Sequence, residues 1–285
     1  MSGIKIGTSL HKAFLKRWLD LPFLPRFQPI ELIKPLFVTY IAKIIILNEN
    51  VDIYKRYLQS FLVLVIISIF LINQPDLGQT LLLVSTWVTM IFVSGFNMII
   101  LSFLGLIFLC MFIFLIVFFP DKFGYIFLRI KTFIDPKKGD NFQSTKAIDA
   151  IKEGGLTGQG MGEGILKEKV PEAHTDYIIA VVGEEFGAIF ILLIAFIFMF
   201  VGYKVINKVF NEKDQFLKLA LIGLASLLII QTFIHIGVNI RLFPTTGMTL
   251  PFLSYGGSSL IGSSIVAGII LNFTRKDSTK HNGNE

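Results

Sequence analysis

Three ionisable side chains fall within five residues in Pro171-Glu172-Ala173-His174-Thr175-Asp176-Tyr177, and a largely apolar run follows at once. A carboxylate at such a water–lipid boundary could serve as a general base. Partial desolvation raises its pKa and basic neighbours lower it. Thr175 or Asp176 could equally cap the start of a helix. Just upstream lies Gly154-Gly155-Leu156-Thr157-Gly158-Gln159-Gly160-Met161-Gly162-Glu163-Gly164. This run does not fit a dinucleotide fingerprint, and no βαβ pattern surrounds it. It reads either as a flexible linker or as backbone that must approach something closely. Arg129, Lys146, Lys152, Lys167 and Lys169 make the same stretch basic. Such a loop could draw in an anionic head group; a solvated charged face is the plainer alternative.

Polar residues also interrupt the apolar runs, where charges are costly and mark function or a buried pair. Glu31 and Lys34 are three apart, on one helical face, and can pair. Gln231, His235 and Asn239 are spaced by four and form one stripe, suited to helix–helix hydrogen bonds or to a proton relay. Glu184 and Glu185 lie two turns into their run, and Asp76 reads as a helix cap.

These residues need elements to hold them, and composition says which kind. The 285 residues are 53% hydrophobic and 16% charged, with a mean hydropathy of +0.70. A soluble domain carries about 25% charged residues, so a soluble single-core enzyme and a disordered chain are both excluded. Cys110 is the single cysteine, so one chain can form neither a disulfide nor a thiolate metal site. The net charge of +6 does not imply nucleic acid in a chain that otherwise belongs in lipid.

A spanning helix needs about 20 apolar residues. Seven runs qualify in part or in full: 30–47, 58–72, 77–96, 98–119, 186–202 with a backward extension to 177, 219–240 and 248–273. They are continuous rather than alternating, which predicts an all-α polytopic membrane protein and not a barrel. The expected order is an extracytoplasmic segment (1–27), four spans (28–119), one long extracytoplasmic loop carrying the chemistry (120–176), three spans (177–273) and a cytoplasmic tail (274–285). Pro120, Asp135-Pro136 and Gly139 punctuate the start of the loop, and 143–152 could form a short amphipathic helix at the interface. Short loops on one side carry Lys55, Arg56, Lys204, Lys208, Lys213, Lys218, Arg275, Lys276 and Lys280. The other side carries Lys5, Lys12, Lys16, Arg17, Arg26 and Arg241. The excess places the carboxyl terminus inside and the amino terminus outside. An outside amino terminus with no signal peptide points to an odd number of further helices upstream.

The stretch Phe243-Pro244-Thr245-Thr246-Gly247-Met248-Thr249-Leu250-Pro251-Phe252-Leu253-Ser254-Tyr255-Gly256-Gly257-Ser258-Ser259 resembles the carboxyl-terminal signature of the shape, elongation, division and sporulation (SEDS) family. Three more stretches agree in order: Arg17-Trp18 followed by Gln28 to Lys34, Gln74-Pro75-Asp76-Leu77-Gly78, and Pro171 to Glu185. The wording is closer to the FtsW division branch than to the RodA elongation branch. Family members have ten spans, so the resemblance implies that the first three are lacking here. Where the family has Tyr-Leu-Pro-Glu, this chain has Lys169-Val170-Pro171-Glu172, and the stretch from Lys167 is one residue shorter.

The resemblance implies a peptidoglycan glycosyltransferase of the bacterial inner membrane, polymerising lipid II at the septum beside a class B penicillin-binding protein and other division proteins. It assigns catalysis to Asp176 and substrate contacts to Arg129, Lys167, Gln143, Glu172, Arg17, Trp18, Glu31 and Lys34. The departing diphosphate calls for positive charge or a divalent cation such as magnesium or manganese. Two rival readings are a lipid II flippase, using Glu184, Glu185 and His235 at membrane depth, and a scaffold that only activates a transpeptidase.

Overall fold

The structure, a computed structural model, describes residues 17–19, 26–47, 51–118, 120–134 and 142–275. Residues 1–16, the breaks at Asp135-Pro136 and Gly139, and the tail from Lys276 lie outside the described residues. The helices are Pro29–Leu47 (α1), Ile53–Asn73 (α2), Leu77–Val93 (α3), Met98–Phe118 (α4), Pro120–Ile134 (α5), Phe142–Gly154 (α6), Ile178–Asn211 (α7), Gln215–Asn239 (α8) and Gly257–Thr274 (α9), with a 3₁₀ turn at Leu166–Lys169.

A helix stands at each of the seven expected spans. By length and apolarity alone, α2, α7, α8 and α9 could each cross a membrane. The 17 residues of α3 are short for a crossing, and α1 carries Glu31, Lys34 and Lys43. Boundaries differ from the expected ones for local reasons. α2 begins five residues before the apolar run, because the Asp52 side chain caps it by accepting from the Tyr54 amide at 2.9 Å. Arg56 then ties its start to the end of α1, donating to the Val51 carbonyl at 2.7 Å and the Ile45 carbonyl at 3.1 Å. The last span starts at Gly257, not 248; residues 248–256 are non-helical. The long loop contains α5, which the sequence reading did not anticipate. Proline at a helix start loses nothing, since its missing N–H would have no partner there.

α8 is the central post. Two thirds of its apolar stretch (67%) is buried, against 22% for α2, 28% for α7 and 33% for α9. It packs on α1, α3, α7 and α9. Leu221, Leu224 and Leu227 of α8, Ile41 and Ile45 of α1, and Leu82, Leu83 and Met90 of α3 are all fully buried. Lipid-facing side chains gain little from leaving one oily phase for another, so close packing must hold these helices together.

α7 breaks in two. Its 34 residues would measure about 51 Å at about 1.5 Å per residue, far more than the roughly 30 Å of hydrocarbon. At Gly187 the backbone takes φ 80° and ψ 177°, leaving a short helix before the kink and a long one after it. The glycine run supplies the hydrogen bonds that the kink interrupts. Gln159 and Gly160 amides donate to the Glu184 and Glu185 carbonyls, and the Ala188 and Ile189 amides donate to Gly155 and Leu156. The run is therefore neither a free linker nor a ligand cradle: its close approach is to the chain's own backbone. α6 packs along α7 through its small residues Ser144, Ala147, Ala150 and Gly154, all buried. It does not lie free at the interface as expected.

Candidate active site

The segments 17–19, 26–28, 74–76, 172–177 and 241–256 converge at one end of the bundle, and Asp176 stands where they meet. Asp176 is part-buried. The Asn239 side-chain amide donates to its carbonyl at 3.1 Å while the Asn239 oxygen accepts from Ala180 at 3.2 Å. Ser254 donates its hydroxyl to the Thr175 carbonyl at 2.6 Å, and the Tyr255 amide donates to the His174 carbonyl at 2.8 Å. The carboxyl-terminal segment thus clasps the turn that presents Asp176.

That segment is held in turn by the polar stripe of α8. Gln231 Nε2 donates to the Thr249 carbonyl at 2.8 Å, and His235 Nδ1 donates to the Met248 carbonyl at 2.7 Å. Irregular backbone survives at membrane depth only where protein satisfies it. Side chains four apart face one way on a helix, so one face of α8 satisfies both turns. The stripe also bonds between helices, as expected: Gln231 accepts from Lys34 of α1 and Asn239 accepts from the Ala180 amide of α7.

Arg17 and Arg129 bring positive charge to Asp176. Arg17 Nε donates to the Gln74 carbonyl at 3.1 Å and lies 3.5 Å from the Asp76 carboxylate; its Nη2 donates to the Pro75 carbonyl. Asp76 is buried, caps α3 through the Gln79 amide at 3.3 Å and accepts from Gln28 at 3.1 Å. It is a cap, as read from sequence, and also the anchor of Arg17. Gly247, at φ 70°, keeps the space between the two charges open. A Cβ there would stand 3.4 Å from Arg17 Nη1 and 3.4 Å from Asp176 Oδ2. Arg129 on α5 donates Nη1 to the Thr245 carbonyl at 3.1 Å. Burial, and next the charge of Glu172, push the Asp176 carboxyl up to about 6, while Arg17 and Arg129 pull against that rise.

The other expected residues divide. Glu172 belongs to the site: at φ 55° it turns the chain, accepts from Thr175 Oγ1 at 2.9 Å and acts on Asp176 by like charge. Trp18 is exposed beside Arg17. Gln143 is exposed at the start of α6, next to Ser144. Lys167 stands apart, its ammonium paired with Glu185. Its amide and that of Leu166 donate to the buried Glu184 carboxylate at 2.6 and 2.7 Å. Glu31 and Lys34 pair at 2.7 Å, and both are buried beneath the site. Gln79 Nε2 donates to Glu31 at 2.7 Å and Lys34 donates to Gln231 at 2.9 Å. They therefore brace α1, α3 and α8 and do not line the opening at Asp176. Sequence reasoning missed Gln28, Gln79 and Arg241. The only signal for Arg241 was a lone charge between two uncharged runs.

A divalent cation finds no ligand set of three His, Cys, Asp or Glu among the described residues. The positive groups nearest Asp176 are guanidiniums.

The family model for the FtsW/RodA/SpoVE cell cycle proteins matches residues 4–279. The chain belongs to this family. It is 34% identical over 268 residues to the probable peptidoglycan glycosyltransferase FtsW of Caulobacter vibrioides, covering 91% of this chain and 65% of that protein. Against the protein of the same name from Haemophilus influenzae the values are 34%, 95% and 70%. Stage V sporulation protein E of Bacillus subtilis is 35% identical, over 87% of this chain and 68% of its own length. The chain thus spans about two thirds of the length of the curated relatives it matches. The fold is similar to that of a peptidoglycan synthase complex that coordinates polymerisation and crosslinking (TM-score 0.69, 23% identity, 95% of this chain and 80% of that one). It is also similar to the rod shape determining protein RodA of Thermus thermophilus (TM-score 0.61, 24% identity, 91% and 69%). This member is an integral membrane protein.

Proposed function

We propose that the chain polymerises lipid II into glycan strands as a peptidoglycan glycosyltransferase of cell division. The observation that carries this is the Asp176 carboxylate, raised by burial and facing Arg17 across the gap left by Gly247. The Asp176 carboxylate takes the proton from an acceptor sugar hydroxyl. The freed oxygen pair bonds to the anomeric carbon of the donor, and the bond from that carbon to the lipid diphosphate breaks. The diphosphate leaves with the electron pair, on the side of Arg17. No step is routed through a metal.

The relatives' names support the reaction, and the likeness to a polymerising and crosslinking complex supports a class B penicillin-binding protein as partner. The end of the bundle bearing Asp176 then faces outward from the bacterial inner membrane at the septum, where the acceptor strand lies. The flippase reading loses its residues: Glu184 caps the 3₁₀ turn, Glu185 holds Lys167 and His235 holds Met248. A scaffold would need no raised carboxylate. The test is the purified chain in detergent, where sidedness vanishes, given lipid II. Glycan strands should form, and Asp176→Asn should abolish them. Strand growth unchanged in Asp176→Asn would overturn the assignment.

A further inference from the structure

Against Phe243, Pro244 and Thr245 lies a pocket of about 150 Å³. α5, the start of α6 and the turn after α8 enclose it, with Arg129, Thr132, Ser144, Arg241 and Thr245 among its lining residues. Two arginines, Arg129 and Arg241, thus line one small concavity. Arg129 uses Nη1 on the Thr245 carbonyl. The Arg241 guanidinium has no hydrogen bond or ion pair among the described residues, although the residue is half-buried and its backbone is held at φ 60°. Two like charges in a pocket repel unless an anion lies between them, and a guanidinium with free donors matches phosphate oxygens in pairs.

The glycosyl transfer proposed above joins two molecules, each bearing a lipid-linked diphosphate, so a site with one cationic cluster leaves one diphosphate unmatched. Arg17 faces the carboxylate across the gap at Gly247, so an anomeric carbon held in that gap has the base on one side and a cation for the leaving diphosphate on the other. The second cluster sits across one extended segment from the first, with Arg129 between them. We propose that the Arg129–Arg241 pocket is an anion subsite for the diphosphate of the acceptor molecule. The subsite role rests on the polymerase reading; the anion binding does not.

The experiment uses inorganic pyrophosphate as the probe, titrated calorimetrically into the full chain in detergent. Two classes of site are expected. Arg241→Gln should weaken one about tenfold, the loss of one bidentate charge-assisted pair, and Arg17→Gln the other. Arg241→Lys, which keeps the charge and loses the fork, should fall between. Melting and monodispersity are checked on each variant, so that a folding defect is seen as such. In lipid II polymerisation, Arg241→Gln should raise KM about tenfold and leave kcat within about threefold. Pyrophosphate binding unchanged in both Arg241 variants would overturn the subsite. Displacement of pyrophosphate by phosphatidylglycerol but not by lipid II would assign the pocket to bulk lipid and overturn the acceptor role. If Asp176→Asn still polymerises while the Arg241 effect on binding persists, the base assignment fails and the anion site stands.

Discussion

At the residue scale, the environment of Asp176 sets two pH-dependent quantities with opposite signs. A general base must be ionised, so kcat/KM should fall tenfold per pH unit below about 6, the value to which burial raises this carboxyl. Asp176→Asn removes the base and should lose about 10²- to 10⁴-fold in rate. Stability runs the other way. A free aspartate titrates near 3.9, so folding raises this pKa and favours the protonated form. That contribution is full below about pH 4 and is lost as the pH rises through 6. Asp176→Asn should therefore melt higher than the parent chain at pH 8, and the gap should close by about pH 4. Thermal unfolding in detergent at both pH values checks this. A variant that melts lower at pH 8 would show that Asp176 stabilises the fold by pairing, against the burial argument.

At the element scale, two features invite substitution. The Gly187 kink has φ 80°, and a Cβ there would stand 2.2 Å from the Leu156 carbonyl oxygen. Gly187→Ala should cost at least about 2 kcal/mol, since backbone strain and a backbone clash add. It should also open the 154–164 run to proteolysis, which limited digestion would detect. Under α1, the Glu31–Lys34 pair behaves as a buried ion pair. Lys34→Met leaves the Glu31 charge without its counter-ion and should cost about 3–5 kcal/mol; adding Glu31→Gln should recover most of that. No recovery in the double variant would mean that Lys34 acts through Gln231 and not through Glu31. The pairing of Glu31 with Lys34 was legible because three-residue spacing on a helix is a geometric fact. The same geometry put Gln231, His235 and Asn239 on one face, yet could not say that the face holds backbone. Their partners lie 18, 13 and 63 residues along the chain. Lys167 misled for a related reason: its partner Glu185 belongs to a helix turn that only the kink brings near.

At the scale of the whole molecule, the seven apolar runs sufficed to order the helices, because length and continuity are what a bilayer selects. They did not reveal that α8 is central or that the last run begins as loop, since a run buried in protein reads like one facing lipid. The positive-inside count does make a claim that the fold can carry. Segments 17–19, 26–28, 74–76, 120–134, 142–177 and 241–256 share the end with Asp176, and Lys55, Arg56, Lys204, Lys213 and Arg275 fall on helix ends and turns of the opposite side. If the excess of basic residues in the short loops alone, the long loop left out, sets orientation, the Asp176 end is outside. The exposed Cys110 on α4 must first be removed as Cys110→Ser. In that background Met161→Cys, on the exposed loop over the kink, should react with a membrane-impermeant maleimide in intact cells. Lys213→Cys, in the exposed turn between α7 and α8, should react only after lysis. The reverse pattern would place the carboxylate in the cytosol, away from any growing strand, and polymerisation could not be the reaction this geometry serves.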